Sequence, residues 1–357
     1  MSYQPPYYPQ FSAAVVHGSG YVGRELIRLL EHHPAIDLKT VVSGSAAGKV
    51  VHEVHPTLRG ISSLTFTDAG SADLETHDVV FVAGVPGTGT AAFQQLTSAG
   101  FDGVFIDLST DYRFADPADH LKWNGSPRDN DGSAGEFVYG LPEICAPYPA
   151  DTRLIANPGC FATGLALSIW PLASNLHGST VHVTALTGAS GSGASPSKTT
   201  HFPDRDGNVR AYKVFGHRHL GEVLQTVGDS LSIAFVPVSG PWTRGIWGTA
   251  QVTIPAGIDA EDVTGWFEAA YSGKAFVRLW GDQLPELHYA VGSPFCDIGW
   301  KVAGNDLVVV FALDNLLKGA ASQAVQNANL ALGMPEGLGL IPGAQETAST
   351  TVDTMWD

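Results

Sequence analysis

Four short apolar runs in the first half of the chain, Phe11 to Val16, Leu38 to Val42, Val79 to Val82 and Val104 to Ile106, have the length and flanking turn residues of buried strands. Between the first two, Tyr21 to His32 places Val22, Leu26, Leu29 and Leu30 on one helical face, and Gly89 to Ser98 carries a weaker helical pattern. Strand and helix in alternation predict a parallel sheet. After Asn157 the rhythm changes. A helix from about Phe161 to Asn175 is followed by β-prone runs at Thr180 to Leu186, Leu231 to Val238, Ile246 to Ile254, Phe276 to Leu279, Asp297 to Val302 and Leu307 to Leu313, interrupted by one helix, Ala260 to Tyr271. That pattern predicts a mixed, largely antiparallel α+β domain. The last helix, Leu317 to Leu332, is expected to pack back on the first domain, so that residues 1–159 and 318–357 form one domain and residues 160–317 the other. Residues 1–10 and 341–357 lack any periodic apolar pattern and are expected to be mobile or draped on the surface.

Composition narrows the partners. The chain has 357 residues, 35 acidic against 19 basic, and a net charge of −16, which disfavours a broad nucleic-acid or anionic-lipid surface. Any phosphate site must be local. Three cysteines with no CxxC or Cys/His ligand spacing argue against a disulfide framework or structural metal. No apolar run reaches the ~18 residues of a membrane span, and the first residues do not read as a secretion signal, so a cytoplasmic protein is expected.

Gly18-Ser19-Gly20-Tyr21-Val22-Gly23 stands between the first strand and the first helix. Its glycines suit a tight turn, close approach of a pyrophosphate to the helix N-terminus, and close strand–helix packing, which is the dinucleotide fingerprint. The alternative is a glycine turn that only lets strand and helix pack. An NAD site usually ends its second strand in a carboxylate; here that strand ends Val42-Ser43-Gly44-Ser45, with Lys49 nearby, which favours NADP.

Cys160 follows Asn157-Pro158-Gly159 at the start of an apolar helix, where the partial positive charge favours thiolate and hence a nucleophile. Otherwise it is one more buried, inert cysteine, as Cys145 and Cys296 are read. His217-Arg218-His219, with Glu222 three residues on, follows a basic stretch holding Lys198, His201, Arg205, Arg210 and Lys213. This is either a solvated loop or the source of an acid/base imidazole for Cys160. Gly188 to Gly193, containing Ser190, resembles an anion nest but matches neither GxSxG nor a P-loop. Arg113, in the loop after the fourth strand, either clamps an anion or pairs with Asp107 or Asp111.

Together with Tyr139-Gly-Leu-Pro-Glu143, Arg244-Gly245 and Asp314-Asn315-Leu-Leu-Lys318-Gly319, these motifs run in order from about residue 13 to 340 and resemble the N-acetyl-γ-glutamyl-phosphate reductase family. The resemblance implies a Rossmann domain plus a catalytic and dimerisation domain, as in aspartate-semialdehyde dehydrogenases, and a homo-oligomer, dimer or tetramer. It implies Cys160 as nucleophile, His217 as acid/base with His219 as its alternative, NADPH as reductant, Asn315 and Lys318-Gly319 bordering the nicotinamide, and Arg113, Asn157, Ser190, Lys198 and His219 as substrate contacts. Residues 194–213 look more like the branch whose aminoadipyl phosphate is attached to a small acidic amino-group carrier protein of the LysW type; the free N-acetyl-γ-glutamyl phosphate is the alternative substrate. Gly44 and Gly87 depart from the family, which often has Arg and His there.

Overall fold

The computed structural model describes residues 10–128 and 134–341. The two polar ends lie outside the described residues, save for Gln10 and Ile341. The first apolar runs become β1 (Phe11–Val16), β2 (Ile36–Val42), β3 (Val79–Val82) and β4 (Val104–Asp107), joined by β5 (Val138–Tyr139) and β6 (Leu154–Ala156) in one all-parallel sheet of order β2-β1-β3-β4-β6-β5. β1 lies between β2 and β3, where the strand order reverses, so the loops after β1 and β3 diverge at the carboxyl edge, where open α/β sheets bind ligands.

The later runs form β7 (Thr180–Thr187), β8 (Arg210–Ala211), β9 (Ser232–Ser239), β10 (Ile246–Thr253), β11 (Val277–Gly281), β12 (Cys296–Ala303) and β13 (Asp306–Leu313), in the order β11-β12-β13-β10-β7-β9-β8. That sheet is antiparallel except at β11/β12 and β7/β9. The helix Cys160–Ala173 is apolar on nearly every side, and it is buried accordingly, with Phe161, Leu165 and Leu172 packed among Val183, Phe311 and Leu313 of the sheet. The final helix, Ser322–Ala331, shares a core with the other sheet instead: Ala324, Val325 and Ala328 pack among Val15, Leu26 and Ile106.

Two expectations are corrected. The stretch after His217 is no solvated loop but a helix, Arg218–Val227, because Leu220, Val223 and Val227 recur on one buried face. The last helix does not run unbroken from Leu317: its first turn, Leu317–Ala321, is a π-turn before the α-helix begins at Ser322. No helix among the described residues is long and apolar enough to cross a membrane.

Candidate active site

The glycine turn follows β1 directly, and Gly20 caps the Tyr21–Leu30 helix with no side-chain hydrogen bond to its free N–H groups. A Cβ on Gly23 would lie 2.5 Å from the backbone of Gly18, whereas one on Gly20 would meet nothing within 4 Å. Gly23 is thus fixed by packing, and Gly20 leaves open space over the helix start for a pyrophosphate, so the turn fits a dinucleotide. Beside it, Ser43 Oγ donates to Ser19 Oγ (2.8 Å) and lies 3.3 Å from Ser45 Oγ, a hydroxyl cluster at the end of β2. Val22 packs on the sheet, while Tyr21 lines a pocket of about 340 Å³ with Ser190 and Gly193 from the other domain. Arg244 closes the same junction, pairing with Glu25 of the first helix (3.0 Å) and Asp314 at the end of β13 (2.5 Å).

Cys160 opens its helix behind Gly159, and a Cβ on Gly319 would come within 2.7 Å of the cysteine Cβ, so the turn after β13 abuts the nucleophile candidate. Cys160, His217 and His219 share a pocket of about 260 Å³ with Arg205, Arg210, Lys213 and Arg218. No carboxylate lines it among the described residues. Four cations in one pocket make it locally positive in an acidic protein.

His217 caps the Arg218–Val227 helix, its Nδ1 accepting from the His219 N–H at 3.2 Å. Burial, with the charges of Arg218 and Lys213, lowers its pKa to about 4, so the ring is neutral near pH 7. Because Nδ1 accepts, the neutral ring carries its proton on Nε2 and is a donor there. His219 is buried against Gly159, and burial also holds it well below the usual histidine range.

The thiol departs from expectation. Burial pushes Cys160 up to about 11, and the opposing pulls of Arg113, the Phe161 N–H and Arg218 do not overcome it.

Three substrate-contact candidates are engaged elsewhere. Arg113 is buried and pairs with Glu222 (3.0 Å) and the Leu108 carbonyl (3.0 Å), not with Asp107 or Asp111. Asn157 donates to Ala320 O (3.3 Å) and accepts from Asn327 (3.1 Å). Ser190 Oγ accepts from Asn315 Nδ2 (3.0 Å), whose Oδ1 accepts from the Gly245 N–H (2.7 Å), so Asn315 braces the 188–193 loop. Lys198 is exposed and lines neither the Tyr21 pocket nor the Cys160 pocket. Lys318 is wholly buried, bound to Glu143 (2.6 Å) and Gln326 (2.8 Å) rather than bordering a crevice.

Glu222 ties these segments together. Its carboxylate is 1% exposed and accepts from Arg113, from Tyr139 Oη (2.9 Å) and from the Gly159 N–H (2.9 Å). The available signal was its spacing of three from His219, which puts both on one helical face.

Comparison with known proteins agrees with this architecture. Residues 12–150 match the semialdehyde dehydrogenase NAD binding domain and residues 160–315 the semialdehyde dehydrogenase dimerisation domain. An N-acetyl-gamma-glutamyl-phosphate reductase of Methanococcus maripaludis is 37% identical over 93% of this chain and 98% of its own. One of Methanocella arvoryzae is 40% identical over 91% and 96%. A protein of Thermomicrobium roseum, provisionally named [LysW]-L-2-aminoadipate 6-phosphate reductase, is 38% identical over 93% and 98%. In fold, the chain is similar to aspartate semialdehyde dehydrogenase II of Vibrio cholerae, with a TM-score of 0.69 at 17% identity over 91% of this chain and 99% of that one. The glycine turn, the two sheets and full-length relatives above a third identity agree, and the chain belongs to the N-acetyl-γ-glutamyl-phosphate reductase family of phosphorylating semialdehyde dehydrogenases.

Proposed function

We propose that this acyl-phosphate reductase works through a Cys160 thioester, with NADPH as reductant, on a substrate presented by a small acidic amino-group carrier protein, in a cytoplasmic homo-oligomer. The observation that carries the reading is the shared pocket: a cysteine at a helix start, a neutral imidazole and four cations with no opposing carboxylate. Cys160 attacks the acyl carbon while backbone N–H groups at the helix start hold the oxyanion. The Gly159 N–H is already taken by Glu222, which leaves that task to donors further on. His217, with its proton on Nε2, donates a hydrogen bond to the carbonyl oxygen and then to the alkoxide formed on reduction, which collapses to the aldehyde as the carbon–sulfur bond breaks and its pair returns to the Cys160 sulfur; for Nε2 to accept the thiol proton the ring would first have to lose the bond to the His219 N–H.

Gly18, Ser19, Gly20 and the first helical turn would hold the dinucleotide, with Ser43 and Ser45 toward the adenosine ribose, and the carboxyl end of β2 itself, Val41-Val42-Ser43, carries no carboxylate against a 2′-phosphate. When bound, it supplies hydride to the thioester carbon. Tyr21 and the Asn315-braced loop would flank its nicotinamide half.

Carrier presentation is supported by the rim, where Arg210 and Lys213 are exposed beside the exposed apolar residues Phe202, Val209, Val214 and Phe215, a surface suited to an acidic partner. The relatives from Methanococcus and Methanocella support the second reading, free N-acetyl-γ-glutamyl phosphate. Phosphate-dependent NADP reduction, measured with a free and with a carrier-bound semialdehyde, separates the two by kcat/KM. Cys160→Ser should abolish turnover and leave NADPH binding intact; an active Cys160→Ser enzyme would discard the thioester route.

A further inference from the structure

A second polar pocket, of about 200 Å³, lies at the carboxyl edge of β3 and β4, with Thr110, His120, Asn124, Ser126, Arg128 and Arg218 in its wall. Arg218 also lines the Cys160 pocket, so one guanidinium faces both spaces. It is half-buried, and among the described residues it has no hydrogen-bond or ion-pair partner. Two further polar atoms in this wall are buried without a partner: Thr110 Oγ1, on a residue 5% exposed, and Asn124 Oδ1.

The remaining wall groups favour an anion. Arg128 is fixed in place by donating to the carbonyls of Asp111 (2.9 Å) and Phe114 (3.0 Å). The carboxylate of Asp111 is occupied: it accepts from the Gly87 N–H (2.9 and 3.0 Å) and the Thr90 N–H (3.0 Å), so its charge faces the N-terminus of the Thr88–Ser98 helix. His120 is buried and, for that reason chiefly, held neutral below the usual histidine range. The space suits an ion of phosphate size, and is too small for a dinucleotide.

We infer that this pocket is a phosphate site, which receives the phosphoryl group of the acyl phosphate and holds the inorganic phosphate released, with Arg218 and Thr110 as its ligands and Arg128 as fixed positive charge. The inference rests on the thioester reading above. In that step the sulfur–carbon bond forms and the acyl carbon–oxygen bond breaks, the bonding pair leaving with the phosphate oxygen. The proton lost by the thiol ends on the departing phosphate, so thiol plus acyl phosphate gives thioester plus hydrogen phosphate. Arg218, common to both pockets, follows the charge from one to the other. Arg113, expected to clamp an anion, is tied to Glu222, which leaves Arg218 as the unpaired cation shared by the two spaces.

The test uses the full-length enzyme in the oxidative direction, with semialdehyde and NADP fixed and inorganic phosphate varied, together with calorimetric titration of phosphate alone. Thr110→Val and Arg218→Met should each raise the phosphate KM, and weaken phosphate binding, by roughly tenfold or more, with the NADP KM within about twofold of wild type. Unchanged phosphate KM and binding in both variants would overturn the assignment, as would a rise in the semialdehyde KM instead, which would make this a carboxylate site. Should Arg218→Met fail to fold, the near-isosteric Thr110→Val carries the test. Failure of the thioester reading is read separately, from an active Cys160→Ser enzyme; the calorimetric arm needs no turnover and stands in either case.

Discussion

Glu222 accepts a hydrogen bond from the Gly159 N–H at 2.9 Å, and so grips the peptide immediately before Cys160 from the helix that His217 caps. The nucleophile candidate and the imidazole candidates are therefore positioned by one carboxylate. All three of its close partners, Arg113, Tyr139 and Gly159, are donors, which only an all-acceptor group satisfies. Glu222→Gln must turn an NH2 toward at least one of them. A displacement of the thiol by even an ångström costs about 100-fold in rate, so kcat should fall by that order with little change in the NADPH KM. A purely structural role would stop there. Glu222 also raises the Cys160 pKa and Arg113 lowers it, so neutralising Glu222 should shift the pH midpoint of iodoacetamide alkylation downward. An unshifted alkylation profile would rule out the electrostatic part.

The thiol itself sets the pH dependence. Burial raises Cys160 to about 11, so thiol is the resting form and the thiolate fraction grows tenfold per pH unit below that value. Alkylation of Cys160 in the unliganded enzyme should climb steadily from pH 7 to about 10 with no plateau. A plateau near pH 7, as the helix start alone suggested, would mean that the flanking arginines outweigh burial.

Much of this was legible in the chain. The β1 strand and the Ala260–Tyr271 helix fall where the apolar pattern put them, because the strand is a short apolar run that ends at the glycine turn and the helix starts at an Asp259 cap. The short strands β5, β6 and β8 were missed, since two or three residues show no period. The helix after His217 was missed for another reason: its first turn, Arg218-His219-Leu220-Gly221, holds one apolar residue among polar and glycine positions, and only the partners of Glu222, brought from distant segments, explain why that carboxylate is buried. Likewise, nothing local reveals that Arg113 meets a carboxylate 109 positions away.

Asp68 bears on nucleotide choice in a way the second strand does not display. The chain after Thr67 runs beside β2, with the Ser43 N–H donating to the Thr67 carbonyl (3.0 Å), and Asp68 Oδ2 comes within 4.0 Å of where a Cβ on Gly44 would stand. An exposed carboxylate there opposes a 2′-phosphate and tolerates a 2′-hydroxyl. Asp68→Ala should lower the NADPH KM by roughly two- to fivefold, the scale of one exposed charge, and leave the NADH KM unchanged or higher. Equal effects on both cofactors would place Asp68 outside nucleotide recognition.

Lys318 and Glu143 form an ion pair with both side chains 1% exposed, and Lys318 also lies 5.1 Å from the Phe276 ring centroid. The pair joins the Pro142–Cys145 helix to the π-turn Leu317–Ala321, and Gly319, next to the lysine, is the residue packed on Cys160. Charge burial of this kind adds little net stability while both partners are present, yet removing one leaves the other uncompensated. Lys318→Met should therefore cost about 3–5 kcal/mol in denaturant unfolding, enough to threaten folding. Lys318→Met combined with Glu143→Leu should recover a large part of that loss, because no charge is then left behind. If the double variant folds, its thiol should retain the wild-type alkylation profile while kcat drops, since the pair fixes the turn against Cys160 without touching the sulfur's charge environment. Equal stability of the single and double variants would show that packing around the lysine stem, and not the buried charge, holds the π-turn in place.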